Sequence, residues 1–545
     1  MRTATFVANA VIAMTLAALA GGCLDHPLKE VAYSKTQVPK IPIVINDNRD
    51  VDILFVIDNS GSMAEEQKRL AKNFPTFIGA LDTMGADYRI GVTTTDVAHP
   101  GCKAGTPENG ALVLHSCTEA VAAGAFKFGD FDAASVCSDQ CKLDAGQLAL
   151  QPGADGKVHP WLESTLGQTN LQAGVSMADA FACYGPQGID GCGYESPLEA
   201  MKLAVEEARA ADGSGFMRDE ALLSVVLVTD ETDCSSNPAH KDIFTSNDAF
   251  WNDEKPYLTS ATCWRAGVAC SGAGPEFKEC HAEDYSADGE PGVSRPEDAV
   301  LYPVDRYIDF LAGLRVGSTA AGPLAREVLV SLIAGVPVGY DVGAAEIAYT
   351  AADPASAQQR DFGIAPGCTK VEEDGVSTAV PPVREREVAE AFADGDGARN
   401  VYSICQDDYS PALAQIAAQI KKVLAPACAG VCIEDRDPAT PELEPECSVT
   451  ATFKDGSHED VPACVIHDGA WTAPTGVSVC FYLLTDGEGL TDSTLDDMTL
   501  VDGAPLCRTD ASNVEFKILR TGPRTAGVSY NADCVAADDP GSCAR

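Results

Sequence analysis

The chain has 545 residues, 45% of them hydrophobic, which is enough to bury at least one large core, so disorder throughout is excluded and roughly two to four domains are expected. Its 81 acids against 38 bases give a formal net charge of −43, which repels nucleic acid and anionic membrane surfaces and excludes a polyanion binder. The 21 cysteines suit an oxidising compartment.

Met1 and Arg2 precede a mostly apolar run from Phe6 to Ala20 that ends in Gly21, Gly22 and Cys23, the make-up of a secretion signal over residues 1–22. No later segment reaches the ~18 consecutive apolar residues of a spanning helix. Leu19-Ala20-Gly21-Gly22-Cys23 resembles the lipobox of bacterial lipoproteins, which implies that Cys23 is acylated and becomes the first residue of the mature chain. A cleaved signal with a structural Cys23 is the alternative. Setting Cys23 aside leaves 21 − 1 = 20 cysteines, an even number available for pairing. Residues 23–43, with Pro27, Pro39 and Pro42, read as a tether.

Val51 to Ile57 is almost continuously apolar, as in a strand covered on both faces of a parallel sheet, and it ends at Asp58. Ser62-Met63-Ala64-Glu65 has capping-box spacing, and Leu70, Phe74, Phe77, Ile78 and Leu81 follow at helical intervals. Tyr88 to Thr94 reads as a second strand. A Cys-rich insertion covers about 98–164, a helix is expected from Pro197 to Ala208, and Leu222 to Val228 forms a third apolar strand ending at Asp230. A second Cys-rich insertion covers about 234–294. Val304–Leu314 and Val328–Ile333 predict a helix and a strand, and Pro411–Leu424 an amphipathic helix. This alternation predicts an α/β domain over 44–426 with a doubly wound, mostly parallel sheet, Rossmann-like in class. Short runs at Ser448–Phe453, Val477–Leu484 and Val514–Leu519, among Gly, Pro and Asp, predict a small disulfide-rich β domain over 427–545.

Strands that end in Asp58 and Asp230 place both carboxylates at the carboxyl edge of a parallel sheet, where open α/β folds bind ligands. Asp58-Asn59-Ser60-Gly61-Ser62 adds two hydroxyls, hard oxygen donors suited to magnesium or calcium, and Gly61 permits a tight turn. These residues resemble the von Willebrand factor type A family, whose metal-ion-dependent adhesion site combines Asp-x-Ser-x-Ser after the first strand, a threonine in a second loop and an aspartate after a later strand. Asp58, Ser60 and Ser62 match the first element, and Val228-Thr229-Asp230-Glu231 the last. Where the threonine is expected stands Glu195, with Ser196 beside it and Thr169 as a more distant option. A carboxylate there strengthens cation binding but weakens the metal's attraction for an acidic group of a partner.

The resemblance implies a divalent metal, magnesium first and calcium or manganese as alternatives, that binds a protein or surface ligand through an acidic group. Together with the lipobox-like run, it implies a lipid-anchored protein of the cell envelope, at the outer membrane or cell surface, acting in adhesion. A structural envelope lipoprotein and a secreted hydrolase are the alternatives. The chain has no His-Glu-x-x-His, Gly-x-Ser-x-Gly or phosphate-loop motif, so an enzyme is not expected. His281, near Glu283 and Asp284, reads as a surface residue. Cys137-x3-Cys141 and Cys428-x3-Cys432 read as disulfide cysteines rather than zinc ligands. Asp394-Gly395-Asp396-Gly397 reads as a solvated turn, because it lacks the glutamate that completes a calcium loop.

Overall fold

The structure is a computed structural model. It describes residues 40–543 except 46–47, 103–106, 114, 154–155, 211–213, 219, 246–248, 251–258, 316–326, 373–374, 394–398, 425–426, 441, 454, 488, 490, 502–503, 506, 510–511, 523–527 and 539–542. The secretion signal, Cys23 and the turn 394–397 therefore lie outside the described residues.

Strand β1 (Lys40–Ile45) leads to β2 (Asp50–Ile57), α1 (Ala64–Thr83) and β3 (Asp87–Thr94). The first insertion carries short helices and ends in the hairpin β4 (Leu162–Thr165) and β5 (Gln168–Thr169). Then come α2 (Met177–Tyr184), α3 (Pro197–Arg209), β6 (Leu222–Val228), α4 (Val304–Arg315), β7 (Val328–Ala334), α5 (Val383–Ala391), β8 (Val401–Ser403) and α6 (Ser410–Val423). The C-terminal part contributes β9 (Cys447–Thr452), β10 (His458–Val461), β11 (Val479–Leu484), β12 (Glu515–Arg520) and β13 (Ser529–Val535).

One seven-stranded sheet runs β8-β7-β6-β2-β3-β4-β5. The five strands from β8 to β3 are mutually parallel, and the β4–β5 hairpin adds an antiparallel edge. The sheet is thus mixed and mainly parallel. Its chain order reverses between β2 and β6, adjacent strands whose connections lead to opposite sides, and that is the place where open α/β sheets leave a crevice.

Every residue of β2 is buried, because helices cover both faces. Successive side chains point to opposite sides. Val51, Ile53, Phe55 and Ile57 join one core with α1, α2 and α6, whereas Leu54 and Val56 join another with α3, α4 and α5. Phe55 meets Phe74, Phe77 and Phe181 edge-on at 5.9, 5.8 and 5.1 Å. Such aromatic pairs add about 0.5–1.5 kcal/mol each beyond area burial. This packing holds the end of β2, and with it Asp58, in a fixed place.

Residues 40–45 differ from their expected role. Lys40–Ile43 fall within the expected tether and Val44–Ile45 within the expected α/β domain, yet all six pair antiparallel with β13, Lys40 opposite Val535 and Ile45 opposite Tyr530. Ile43 and Ile45 insert into the core of the C-terminal part with Val449, Phe516 and Ala532. Pro42 is tolerated because β1 is an edge strand.

Ten disulfides join the twenty cysteines of the described residues, among them Cys117–Cys137, Cys141–Cys183, Cys428–Cys507 and Cys432–Cys543. The two Cys-x3-Cys pairs are therefore oxidised to separate partners. No helix of the described residues is long and apolar enough to cross a membrane.

Candidate functional site

Four loops converge at the carboxyl edge: residues 58–62 after β2, 95–96 after β3, 187–196 before α3, and 229–235 after β6. The Asp58 N–H continues the ladder to Val228 O (2.9 Å), and the Gly191 N–H reaches Asn59 O (2.9 Å). The Ser196 N–H reaches Thr95 O (3.1 Å), and the Cys234 N–H reaches Glu195 O (2.6 Å). Gln67 of α1 clasps two of the loops by donating to Asp58 O (2.9 Å) and Gly188 O (2.7 Å) while accepting from the Gln187 N–H (2.8 Å).

Asp58, Ser60, Ser62 and Asp230 form one connected cluster. The Ser60 N–H donates to Asp58 Oδ1 (2.8 Å), the Ser60 and Ser62 hydroxyls are 3.2 Å apart, and Ser62 Oγ donates to Asp230 Oδ1 (3.2 Å). Asp58 Oδ2 accepts from Thr229 Oγ1 (2.6 Å). The expected capping box is not made. Met63 is the helix N-cap, without a side-chain cap bond, and the Ser62 hydroxyl is directed to Asp230 instead. Gly61 has an ordinary φ, so its role is not the turn: a Cβ there would lie 2.9 Å from Phe128 Cγ, and glycine lets that ring pack on the loop.

Glu195 is fully buried beside this cluster. One of its oxygens accepts from Thr95 Oγ1, and the other, Oε1, has no partner. Ser196 instead donates to Cys234 O (3.1 Å). Thr169 is remote: it pairs with Ser164, which pairs with Tyr88 at the opposite end of β3. Thr95 and Asp96 belong to the site and were not singled out from sequence, whereas Thr229 and Glu231 were quoted only as flanks of Asp230 in the matching segment. The run Thr94-Thr95-Asp96 carried a signal, a third strand ending in aspartate at the same edge.

The electrostatics are one-sided. Burial pushes the Asp58 carboxyl up, and pushes Asp230 and Glu195 far up, both further raised by the Asp58 charge. Glu231 is pushed up to about 8 by burial and by Asp58, and its Oε2 has no partner. Asp96 is pushed up to about 6, again chiefly by burial. The charged groups acting most strongly on Glu195, Asp230 and Glu231 are other carboxylates. Unpaired buried charge of one sign is costly, and a cation or protons must offset it.

The donor set is carboxylate and hydroxyl oxygen, the chemistry of hard cations. Among the described residues, three His, Cys, Asp or Glu ligand atoms lie within 4.8 Å of one another only at Cys117, Cys137 and Cys141, all of which are in disulfides. No three carboxylates of the cluster come that close together, so an ion held by the two aspartates would depend on the Ser60 and Ser62 hydroxyls as well. His281 is exposed and 3.7 Å from Glu283, as a surface residue should be.

No protein-family model matches the chain, and no curated protein matches it. Among solved structures, the pilus adhesin SpaC from Lactobacillus rhamnosus GG matches 90% of the chain at 11% identity with a TM-score of 0.26. Its open conformation matches at 9% identity with the same TM-score. The pilus adhesin RrgA from Streptococcus pneumoniae matches 93% of the chain at 9% identity with a TM-score of 0.23. The chain spans 40% of the SpaC structures and 60% of the RrgA structure. Likeness at this level carries no argument about fold or function.

Proposed function

We propose that Asp58, Ser60, Ser62 and Asp230 hold one divalent cation, magnesium first and calcium or manganese next, and that the cation binds an acidic group of a protein or surface ligand. The observation that carries this reading is the set of buried carboxylates without a counter-charge: Asp58, Glu195, Asp230 and Glu231 together, with Glu195 Oε1 and Glu231 Oε2 unpartnered. Magnesium keeps several waters and uses one or two carboxylates, so two aspartates and two hydroxyls suffice. Glu195 stands behind them as a further carboxylate. Ser62 is the exposed member of the cluster, which leaves the cation a face toward solvent. The position at the chain-order reversal of a doubly wound sheet supports a von Willebrand factor type A-like domain.

The ten disulfides suit an extracytoplasmic setting. In this reading Cys23 carries the lipid anchor and the protein acts at the cell surface as a binding module, not as an enzyme. Isothermal calorimetry on the wild type, Asp58→Ala and Asp230→Ala tests the core of the proposal. Both variants should lose magnesium uptake with circular dichroism unchanged, and their loss of stability should be confined to the missing linkage, RT ln(1 + [L]/Kd). Retention of envelope or host-surface partners should fall with chelator and in both variants. Wild-type magnesium affinity in either variant would return the aspartates to the role of strand-terminal turn residues.

A further inference from the structure

Gln67 stands in the first turn of α1, 1% exposed, and its amide is fully used. Nε2 donates to Asp58 O (2.9 Å) and Gly188 O (2.7 Å), while Oε1 accepts from the Gln187 N–H (2.8 Å) and the Gly188 N–H (3.3 Å). A side-chain amide has two donors and one oxygen with two lone pairs, so these bonds exhaust it. Gln67 thereby ties a backbone oxygen of a proposed cation ligand to the segment 187–188.

The same segment returns to the cation loop at Gly191, whose N–H donates to Asn59 O (2.9 Å). A Cβ on Gly191 would overlap the Asn59 amide, so the two stretches of chain lie closer than a side chain allows. Asp58 O and Asn59 O, the successive carbonyls that lead the loop to Ser60 and Ser62, are thus both held from 187–191, one of them through Gln67. Further along, Glu195 O accepts from the Cys234 N–H (2.6 Å), which joins the segment to the loop that carries Asp230. The Asp58 carboxylate is fixed from that side too, by Thr229 Oγ1 on Oδ2 (2.6 Å).

We propose that Gln67 is the positioning residue that makes this site prefer magnesium to calcium, an inference that rests on the cation reading and deepens it. Magnesium demands near-octahedral geometry with oxygens at about 2.0–2.1 Å, whereas calcium accepts more oxygens, at about 2.3–2.6 Å, in a flexible arrangement. A loop pinned at two successive carbonyls keeps its donors at one spacing, which suits the ion that tolerates least variation. Without the amide, Asp58 O, Gly188 O and the Gln187 N–H lose these bonds together, and the loop is free to spread. Magnesium then loses its geometry while calcium gains room. Gln67 touches no cation in this scheme; it acts through the backbone of Asp58.

Calorimetric titration of the full chain with magnesium and, separately, with calcium tests this on the wild type, Gln67→Met and Leu81→Ala. Methionine keeps the length of the side chain without its hydrogen bonds, and Leu81 is buried in the last turn of α1, at the end of the helix away from the cation loop. Gln67→Met should weaken magnesium binding by about 10–100-fold, the usual consequence of losing a group that orients a ligand, and calcium binding severalfold less, so that the ratio of the two affinities moves toward calcium. Leu81→Ala should lower the melting temperature through the cavity it leaves, with both affinities and their ratio at wild-type values. If Gln67→Met does not fold, Gln67→Glu decides, since it keeps the shape and the acceptances but not both donations, and the same shift is expected. An unchanged ratio in the folded Gln67 variant, or an equal shift in Leu81→Ala, would overturn the proposal and leave the cation reading, which Asp58→Ala tests, in place. No uptake of either ion by the wild type would overturn both.

Discussion

His99 lies three residues beyond Asp96, with its ring stacked on Tyr194 at 4.5 Å and edge-on to Phe244 at 4.3 Å. Nδ1 accepts from the Gly101 N–H (3.0 Å), which fixes the tautomer and leaves Nε2 facing Cys234 Sγ at 3.7 Å. Burial holds the imidazole at about 4, below its ordinary 6.5, so the unfolded chain takes up the proton first. The stability due to the neutral ring is therefore full above 6.5, falls as pH drops and is gone near 4, a loss of up to about 3 kcal/mol. His99→Phe should remove this component: urea unfolding at pH 7 and pH 4.5 should show a smaller acid loss in the variant, and an equal loss would disprove it. At this scale the sequence was most legible where a residue ends a strand. Asp58 and Asp230 could be paired from their apolar runs alone, and Glu195 from its distance to α3. Asp96 and Glu231 could not be ranked, because an acid in a loop shows its burial only once the loops are packed.

Elements with an uninterrupted apolar pattern were legible almost to the residue. The run Leu222–Val228 is β6 itself, and the stripe from Leu70 to Leu81 is the buried face of α1. Helix α5 was missed for a physical reason: its buried face includes Arg384 and Glu385, charged residues that a hydrophobic pattern assigns to solvent. Arg384 and Asp233 are both fully buried and paired at 3.1 Å, and Arg384 also donates to Tyr302 O (2.6 Å). Asp233 in turn accepts from Ser235 Oγ (2.6 Å) and from the Leu198 N–H at the start of α3 (3.3 Å). One ion pair thus ties α5, α3 and the loop that carries Asp230. Arg384→Met leaves Asp233 buried without its counter-charge and should cost about 3–5 kcal/mol in chemical denaturation. Asp233→Asn in the same chain should restore part of that loss, and a loss below about 1 kcal/mol in the single variant would show that the pair does not hold the loop.

Across the whole molecule the described disulfides fall into two sets. Six link residues between Cys102 and Cys405, and four link residues between Cys428 and Cys543. None of the ten crosses from one set to the other. The composition could not reveal that the C-terminal sheet borrows its edge from the other end of the chain, since a strand such as β1 becomes recognisable only beside its partner β13. The two ends are thus interlocked, and cutting the chain is not the same as separating it. A protease site engineered after Leu424 should yield, after cleavage, two pieces that still co-elute in native gel filtration, because the upstream piece keeps β1 in the downstream piece's sheet as a donated strand. They should part in denaturant without any reducing agent. Deleting residues 40–45 before cleavage should let them part in native buffer, and co-elution of that shortened pair would show that contacts other than the donated strand hold the halves together.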